Sequence, residues 1–314
     1  MTSDIFAEWL KRQGHLVFKT KSSYWYSQAA RTFQAFPYHR VIEPDNNEIN
    51  EFLKEHNGVA LRYSTPLSAK YGKISYHVLF TQSTYSIEGL PKKARHDVRN
   101  GFKKAGVEPI SFERLAVEGW ELRLDTLIRQ GRVRAETQSA WVKQCRSAQD
   151  LPGFETWGAL VEGKLVAALI AFSGDDCCSI LYQQSATDYL RFGINNVLTL
   201  AFTNEVLKRS DVSQIFYGLH SLDAPDSVDE YKFRMRYTAS PVRQRVVFNP
   251  RLSPLFNPLT YSALNAVHKL LPGNPTFAKA EGMLRFSLQG KKPLAEQDWP
   301  LGLLEQKESI LKQY

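Results

Sequence analysis

The chain has 314 residues, long enough for one large domain or two small ones, and 43% of them are hydrophobic, enough to build buried cores. Lysine and arginine total 40 against 32 acidic residues, so the positive excess gives information only where it is concentrated. The longest apolar run, 165–172, is far shorter than the roughly 20 residues that a membrane helix needs, and the charged start of the chain is unlike a signal peptide. We therefore expect a folded cytoplasmic protein and no membrane-spanning segment.

Helix and strand patterns alternate through residues 1–90. A helix is predicted over 4–12, a strand over 15–20, a helix over 45–58, and two further strands over 58–64 and 73–82. The aromatic stretch 24–38 is predicted to be rich in loops. This first third is mixed α and β and is too small to close a roomy sheet alone.

A strongly basic helix is predicted to begin behind Pro91 and to end near Gly106. Its apolar face is predicted from helical spacing to be Ala94, Val98, Phe102 and Ala105. A second face is formed by Lys92, Arg95, Arg99 and Lys103. This basic face either holds phosphate groups, for which arginine offers paired donors, or is simply solvated.

The remaining pattern runs from helix to sheet and back. A long helical region is predicted over 117–148, followed by three consecutive strands between 155 and 185, the middle one apolar on both faces and therefore central. The elements predicted next are a polar loop, a helix over 194–210, a strand over 212–220, a short helix over 227–237 and a strand over 241–249. Residues 251–314 are interpreted as a tail packed on the body, with one amphipathic helix over 261–271.

This order of elements resembles the second half of a GNAT acyltransferase, and three stretches are similar to the FemAB-like branch of that superfamily. They are ARHDVRNGFKKAGVE (94–108), FGINNVLTLAFTNEVLKR (192–209) and YGLHSLDAPDSVDEYKFRMRY (217–237). The resemblance implies an α+β fold with a GNAT-like mixed, mostly antiparallel sheet flanked by helices. It also implies two GNAT-type halves, the first one truncated. The predicted domains are 1–90, a degenerate GNAT-like half or an extension; 91–250, the acyltransferase domain; and 251–314, the tail.

The loop that ends at Gly193 is a candidate anion site because the unpaired N–H groups of a helix start attract negative charge. The resemblance implies that coenzyme A, as an acyl-CoA co-substrate, binds here and along the preceding strand. The predicted binding residues are Gln183, Gln184, Arg191, Phe192, Gly193, Ile194, Asn195 and Asn196. The loop keeps the middle glycine of the GNAT pattern and departs from it at both outer positions, so an ordinary loop is the alternative interpretation.

The strand over 212–220 opens into the predicted catalytic segment. The candidates there for moving protons are His220, Asp223, Glu230 and Tyr231. The resemblance implies that Tyr231 protonates a departing thiolate and that Lys232 matches the lysine of the Tyr/Phe-Lys pair of the family and contacts the acceptor. Against these roles, Tyr231 is also consistent with a packing residue and His220 with a capped loop residue.

The leading hypothesis is an N-acyltransferase that moves an acyl or aminoacyl group from acyl-CoA or aminoacyl-tRNA to an amine of a polar acceptor. The acceptor is predicted to be a small molecule or a cell-envelope precursor, with or without a phosphate group. The alternative is a catalytically silent GNAT-like module that binds nucleic acid or an envelope-assembly partner. No metal is predicted because the seven histidines show no paired spacing, and the three cysteines are interpreted as reduced thiols.

Overall fold

A computed structural model describes residues 2–29, 31–132, 136–222, 227–270 and 275–314. The chain divides into two compact units that are interleaved in sequence. Unit 1 comprises Met1–Ile5, Val78–Gly218 and Ser227–Thr238, and unit 2 comprises Phe6–His77, Leu219–Asp226 and Ala239–Tyr314.

The elements follow in chain order. The α-helices of the described residues are α1 (Thr2–Gln13), α2 (Asn46–Glu55), α3 (Lys92–Lys104), α4 (Phe112–Arg129), α5 (Gln138–Ala148), α6 (Thr187–Leu190), α7 (Ile194–Leu207), α8 (Ser227–Arg234), α9 (Pro258–Leu270), α10 (Pro275–Gln289) and α11 (Lys307–Gln313). The strands are β1 (Val17–Lys19), β2 (Tyr24–Ala29), β3 (Thr32–Phe36), β4 (Ala60–Thr65), β5 (Lys73–Phe80), β6 (Gly106–Pro109), β7 (Phe154–Val161), β8 (Lys164–Gly174), β9 (Cys177–Ser185), β10 (Gln214–Leu219) and β11 (Thr238–Phe248).

Unit 1 is built on the strand order β10-β9-β8-β7-β6, in which β6 to β9 are antiparallel and β10 runs parallel to β9. The predicted three-strand meander is present, and β8 is buried along nearly its whole length, as its continuous apolar sequence indicates. The sheet is covered on both faces. The guanidinium of Arg123 on α4 lies 5.1 Å from the ring of Tyr182, whereas the neighbouring residue Gln183 points to the opposite face and contacts α7.

The long helical region that was predicted over 117–148 is two helices, α4 and α5. Each begins at its own capping residue, because Ser111 accepts a hydrogen bond from the Arg114 N–H at 3.0 Å and Thr137 accepts one from the Ala140 N–H at 3.2 Å. The two helices then pack side by side, and Trp141 is fully buried and donates a hydrogen bond to the Leu115 carbonyl at 3.3 Å.

Unit 2 contains the strand order β1-β2-β3-β4-β11, with β3 and β4 parallel and the other pairs antiparallel. The prediction of a loop-rich stretch over 24–38 is wrong, since most of it forms β2 and β3. The physical reason is that its aromatic side chains have a core to enter. Trp25 and Phe33 are buried against Phe52 of α2, with ring centroids 5.7 and 5.2 Å apart.

The tail that was predicted over 251–314 is an integral part of unit 2. Gly72 donates its N–H to the Gly290 carbonyl at 2.9 Å, and Lys73 donates to the Asp298 carbonyl at 2.7 Å. Strand β11 pairs with β4 from Arg243 to Phe248, which adds a strand to the amino-terminal third. The compact units therefore divide the chain elsewhere than the predicted boundaries at 90 and 250, because β11 and the tail complete the packing of the first third.

Both units combine mostly antiparallel strands with flanking helices, and the predicted mixed α+β class with a GNAT-like sheet is confirmed. Within the ranges that the structure describes, no helix is both long enough and apolar enough to cross a bilayer.

Candidate functional site

Strands β9 and β10 separate in the middle of unit 1. They pair in parallel only over Cys177–Ser179 and Gln214–Phe216, although both strands continue beyond these residues. The separation starts at an irregularity, because Ile180 pairs with Ala171 and Tyr182 with Ile170, so that Leu181 is an extra residue in β9. Such a bulge bends the strand that carries it, which turns β9 away from β10.

Four polar side chains meet where the strands separate. Gln183 on β9 accepts two hydrogen bonds at Oε1, a short one from the Tyr217 hydroxyl on β10 and one from the Thr199 hydroxyl on α7 at 3.2 Å. The Thr199 hydroxyl also lies 2.8 Å from the hydroxyl of Tyr231 on α8. The Thr199 hydroxyl has one proton and donates it to Gln183, so the Thr199 oxygen accepts the hydrogen bond from the Tyr231 hydroxyl. We call Gln183, Thr199, Tyr217 and Tyr231 the hydroxyl cluster.

Helix α7 supplies one side of this arrangement through polar residues at a four-residue spacing. Asn195, Thr199 and Thr203 lie on one face. The Asn195 carbonyl receives a 3.5 Å hydrogen bond from Gln183 Nε2, and the Thr203 hydroxyl lies 2.6 Å from that of Tyr237. Both threonines are fully buried, and the pattern could have been recognised in the sequence as a polar stripe along an otherwise apolar helix.

Burial governs the acidity of these phenols. Loss of solvation raises the pKa of Tyr231 to about 12, although hydrogen bonds to Thr199 and Gln183 oppose the rise. Burial likewise raises the pKa of Tyr217 well above its usual value. Both hydroxyls therefore keep their protons at neutral pH and can act as hydrogen-bond donors or as acids.

The other predicted catalytic residues lie in different surroundings. His220 belongs to unit 2, where Nδ1 lies 3.2 Å from the Ser75 hydroxyl and the ring stacks on Tyr76 at 4.6 Å. Asp223 lies outside the described residues. Glu230 is exposed, whereas Lys232 is largely buried and its ammonium is 2.7 Å from the Asp229 carboxylate and 5.3 Å from the centre of the Tyr217 ring.

Gly193 begins α7 in the left-handed region, with φ +74°. A Cβ on this residue would lie 2.7 Å from the carbonyl carbon of Asp97, because α3 packs directly on the start of α7. Gly101 of α3 makes the reciprocal approach, since its Cβ would lie 3.1 Å from the Gly193 carbonyl oxygen. Backbone conformation and close helix packing both require glycine at 193, whatever binds beside it.

The other residues of the predicted coenzyme A site divide between the surface and the interior. Arg191 is exposed with its guanidinium 4.8 Å from the ring of the half-buried Phe192, and Ile194 is fully buried. The Asn196 amide donates to the Met235 sulfur at 3.4 Å. Two residues of this predicted site have buried polar atoms that lack a hydrogen-bond partner in the described part of the chain. These atoms are Asn195 Oδ1 and both amide atoms of Gln184.

Of these unsatisfied atoms, Asn195 Oδ1 lies in the first turn of α7. It can accept a hydrogen bond, and the first-turn N–H groups can donate to an anion. Gln184 points to the sheet face opposite Gln183 and is only 1% exposed, so it is not placed beside the hydroxyl cluster.

The basic face of α3 is largely open to solvent. Lys92, Arg99 and Lys103 are exposed and Arg95 is half-buried, while Arg99 lies 3.8 Å from the equally exposed Glu88. The predicted apolar face is wrong at Phe102, which is 46% exposed, since Gly101 faces α7 instead. The helix therefore presents an aromatic side chain among its cations. Among the residues that the structure describes, no group of His, Cys, Asp or Glu could hold a metal ion.

The comparisons with known proteins bear on the fold. No family model and no curated protein matches the sequence. Solved structures do match. The crystal structure of FemX is 10% identical with a TM-score of 0.56, covering 80% of this chain and 92% of that one.

Two further structures match over similar lengths. The C-terminal DUF2156 domain of a proposed lysylphosphatidylglycerol synthetase from Agrobacterium fabrum is 11% identical with a TM-score of 0.51, covering 78% and 90% of the two chains. L-PGS from Bacillus licheniformis is 14% identical with a TM-score of 0.50, covering 79% and 89%. At these identities the likeness shows the fold, and the chain has the GNAT-type, FemAB-like fold that its sequence predicts.

Proposed function

We propose that the protein is an N-acyltransferase that moves an acyl or aminoacyl group from acyl-CoA or aminoacyl-tRNA to an amine of a polar acceptor. The hydroxyl cluster carries this proposal, because it places a protonated phenol, that of Tyr231, beside the point where β9 and β10 separate. The shared fold of FemX supports transferase chemistry of this class.

In the proposed reaction the amine nitrogen attacks the carbonyl carbon of the donor. A C–N bond forms, and the C–S bond of a thioester or the C–O bond of an aminoacyl ester breaks. The leaving group takes up a proton, and the amine loses one. Tyr231 donates the proton that the leaving group takes up, since its raised pKa keeps the phenol protonated until the leaving group develops negative charge.

Thr199 positions this proton. In the resting arrangement the Tyr231 hydroxyl donates to Thr199 Oγ1, so the phenol must rotate its O–H bond to reach a leaving group. The amide of Gln183 fixes the Thr199 hydroxyl in turn. The roles predicted for His220, Asp223 and Glu230 as acceptors of the proton of the amine stay predictions.

The donor is proposed to bind with its phosphates at the start of α7, near Asn195, and along β9 beside Gln183. The exposed cations of α3 supply further phosphate contacts, since α3 packs on the same end of α7. The proposed acceptor is a small polar molecule or a cell-envelope precursor, and Lys232 is proposed to contact it. Three buried thiols, all reduced, are consistent with a cytoplasmic location.

One observation favours a different function. The hydrogen bond from Tyr217 to Gln183 crosses the space between β10 and β9, and side chains that fill this space would exclude the acyl arm of a donor. The alternative is therefore a catalytically silent module that binds nucleic acid or an envelope-assembly partner through α3.

Thermal unfolding with acetyl-CoA, longer acyl-CoAs and free coenzyme A separates the two, because a ligand of the native state raises the midpoint. We expect a rise that is lost in Asn195→Trp and kept in the control Asn204→Trp, which lies farther along α7. Tyr231→Phe should keep the rise and lower the transfer rate by about 10²-fold or more. If neither acyl-CoA nor aminoacyl-tRNA binds or reacts, the silent module is the correct interpretation.

A further inference from the structure

Unit 2 contains a cavity of about 380 Å³, within the size range of ligand sites. It lies beside the last residues of β11, between the segment that precedes β5 and the end of α10. Its wall includes Tyr71, Arg245, Val246, Phe248, Phe256 and Phe286. One side of the cavity is therefore formed by a β-strand.

The last residues of β11 have a neighbouring strand on one side only. On that side β11 pairs with β4 as far as Phe248. On the other side β5 begins at Lys73, and the residue before it, Gly72, already lies beside Arg243, since a Cβ on Gly72 would be 2.9 Å from the Arg243 Cβ. From there β5 runs towards the start of β11, where the Thr238 hydroxyl donates to the carbonyl of residue 79 at 3.3 Å. The cavity therefore occupies the place beside the end of β11 where a further strand would lie.

The backbone of Val246 and Phe248 directs its hydrogen-bonding groups towards the cavity. In an antiparallel pair, alternate residues bond the neighbouring strand and the residues between them point the opposite way. The Asn249 N–H bonds the Val59 carbonyl at 2.9 Å in the register of the β4–β11 pair, so the odd-numbered residues of β11 bond β4 over this stretch. Val246 and Phe248 consequently present their N–H and C=O groups on the other side. A strand edge that presents such groups is a template for a further strand.

The side chains on the two faces of β11 determine which residues an added strand would carry. Val246 and Phe248 lie on one face and pack against the fully buried Phe286. Arg245 lies on the opposite face, where its guanidinium is 5.5 Å from the centre of the Tyr71 ring. Because side chains alternate along a strand, added residues would alternate between an apolar face and a cationic face.

The cation on the second face favours an acidic partner. Arg245 donates to Asn46 Oδ1 at 3.4 Å, and it forms no ion pair with a carboxylate among the residues that the structure describes. The cavity wall contains no acid, and Lys291 at its rim is exposed. An acidic side chain on an added strand beside Arg245 is therefore complementary in charge.

We propose that the edge of β11 binds an extended segment of a partner protein by strand addition, with apolar and acidic residues alternating along that segment. The backbone of Val246 and Phe248 pairs with the segment, its apolar side chains lie towards Phe286, and its acidic side chains face Arg245. The stretch 245–248 spans roughly 13 Å, which limits the paired part of the segment to about four or five residues. This binding is independent of acyl transfer.

Calorimetric titration of the full chain with short peptides tests the proposal. The probe is the blocked pentapeptide acetyl-VEVEV-amide, and acetyl-VKVKV-amide is the charge control. We expect one VEVEV peptide to bind per chain and VKVKV to bind at least about tenfold more weakly, because attraction to Arg245 is replaced by repulsion. No binding of VEVEV up to about 1 mM, or equal binding of the two peptides, would overturn the proposal.

N-methylated peptides test the strand addition itself. Only alternate N–H groups of an added strand face β11, so VEVEV methylated on its valine amides is compared with VEVEV methylated on its glutamate amides. One of the two should bind about fivefold or more weakly than the parent peptide, and the other should keep its affinity. Equal losses, or no loss in either, would refute strand addition. Light scattering measures the oligomeric state, and a dimer that VEVEV dissociates would replace the partner protein by a second copy of this chain.

A charge reversal locates the site. Arg245→Glu should reverse the preference, so that VKVKV binds more tightly than VEVEV, because the opposite charge now faces the added strand. The matched control Arg251→Glu reverses an exposed cation beyond the end of β11 and should leave the preference unchanged. Thermal unfolding verifies that both variants fold. A preference for VEVEV that persists in Arg245→Glu, or that both variants change equally, would refute the site, since the peptide would then be held by general surface charge.

Discussion

The interiors of the two units are built differently. In unit 2, Trp25, Phe33, Phe52 and their neighbours form an apolar and aromatic cluster around α2. In unit 1, the core between α7 and the sheet contains buried threonine and tyrosine hydroxyls that bond one another. Burying a hydroxyl is favourable only when it is paired, so the polar core adds little stability over an apolar one of the same shape. Under the proposed function, the polar residues of unit 1 serve its chemistry, whereas the apolar residues of the α2 cluster serve folding.

The largest effect is expected in the apolar core of unit 2. Phe52→Ala should lower the free energy of unfolding by about 3–5 kcal/mol, because it removes a ring that touches Trp25 and Phe33 and leaves a cavity. Denaturant unfolding measures the change. The control Phe102→Ala, at an exposed phenylalanine of unit 1, should change it by less than about 0.5 kcal/mol. Similar losses of unfolding free energy in both variants would contradict the assignment of Phe52 to the apolar core of unit 2.

Gly193→Ala in unit 1 should cost about 1–3 kcal/mol, because the alanine must adopt a positive φ and its Cβ meets the backbone of Asp97. Gly163→Ala is a matched control. Gly163 has φ +78° but no atom within 4 Å of a Cβ, so this variant measures the backbone cost alone. An equal loss in the two variants would show that α3 does not pack as tightly on α7 as the structure indicates.

Thr199→Val should cost about 1–2 kcal/mol, because it keeps the shape of the side chain and leaves Gln183 and Tyr231 with one hydrogen bond fewer. Combining it with Tyr231→Phe in a double-mutant cycle isolates the contact between the two hydroxyls. We expect the double variant to lose less than the sum of the single losses. Strict additivity would mean that the hydroxyl cluster is not coupled.

The last effect concerns alkaline pH. The pKa of Tyr231 is raised by burial from its usual value near 10 to about 12 in the folded state. Its contribution to stability is therefore complete below pH 10 and is lost as the pH rises towards 12, because the unfolded chain ionises first. Unfolding free energies measured across this window should fall less steeply in Tyr231→Phe than in the native protein.

Much of unit 1 could be predicted from local patterns. The meander from β7 to β9 follows from the apolar run of β8 and from its turn residues, and α7 and β10 follow from the same kind of signal. The prediction for residues 24–38 failed because their aromatic side chains show no clear alternation along the sequence. These residues form strands because their side chains pack into the core beside α2 and β4. Propensity was overridden there by tertiary packing.

The candidate site, too, could be predicted only in part from local sequence patterns. The motif resemblance placed attention on Gln183, Gly193 and Tyr231, but it could not identify Thr199 and Tyr217 as their partners. Those contacts join residues from β9, α7, β10 and α8 that are up to 48 positions apart, and no local rule relates their orientations. The predicted roles of the site residues remain predictions.

The sequence by itself determined the order of the strands and main helices from β7 to β11, the amphipathic character of α3 and the glycine at the start of α7, because these depend on neighbours within a few residues. Only the tertiary structure decided that Gly101 rather than Phe102 faces α7, that the tail completes unit 2, and that four polar side chains share one cluster. The physical reason is that side-chain periodicity fixes which residues share a face, whereas the partner of that face is chosen by packing across distant parts of the chain.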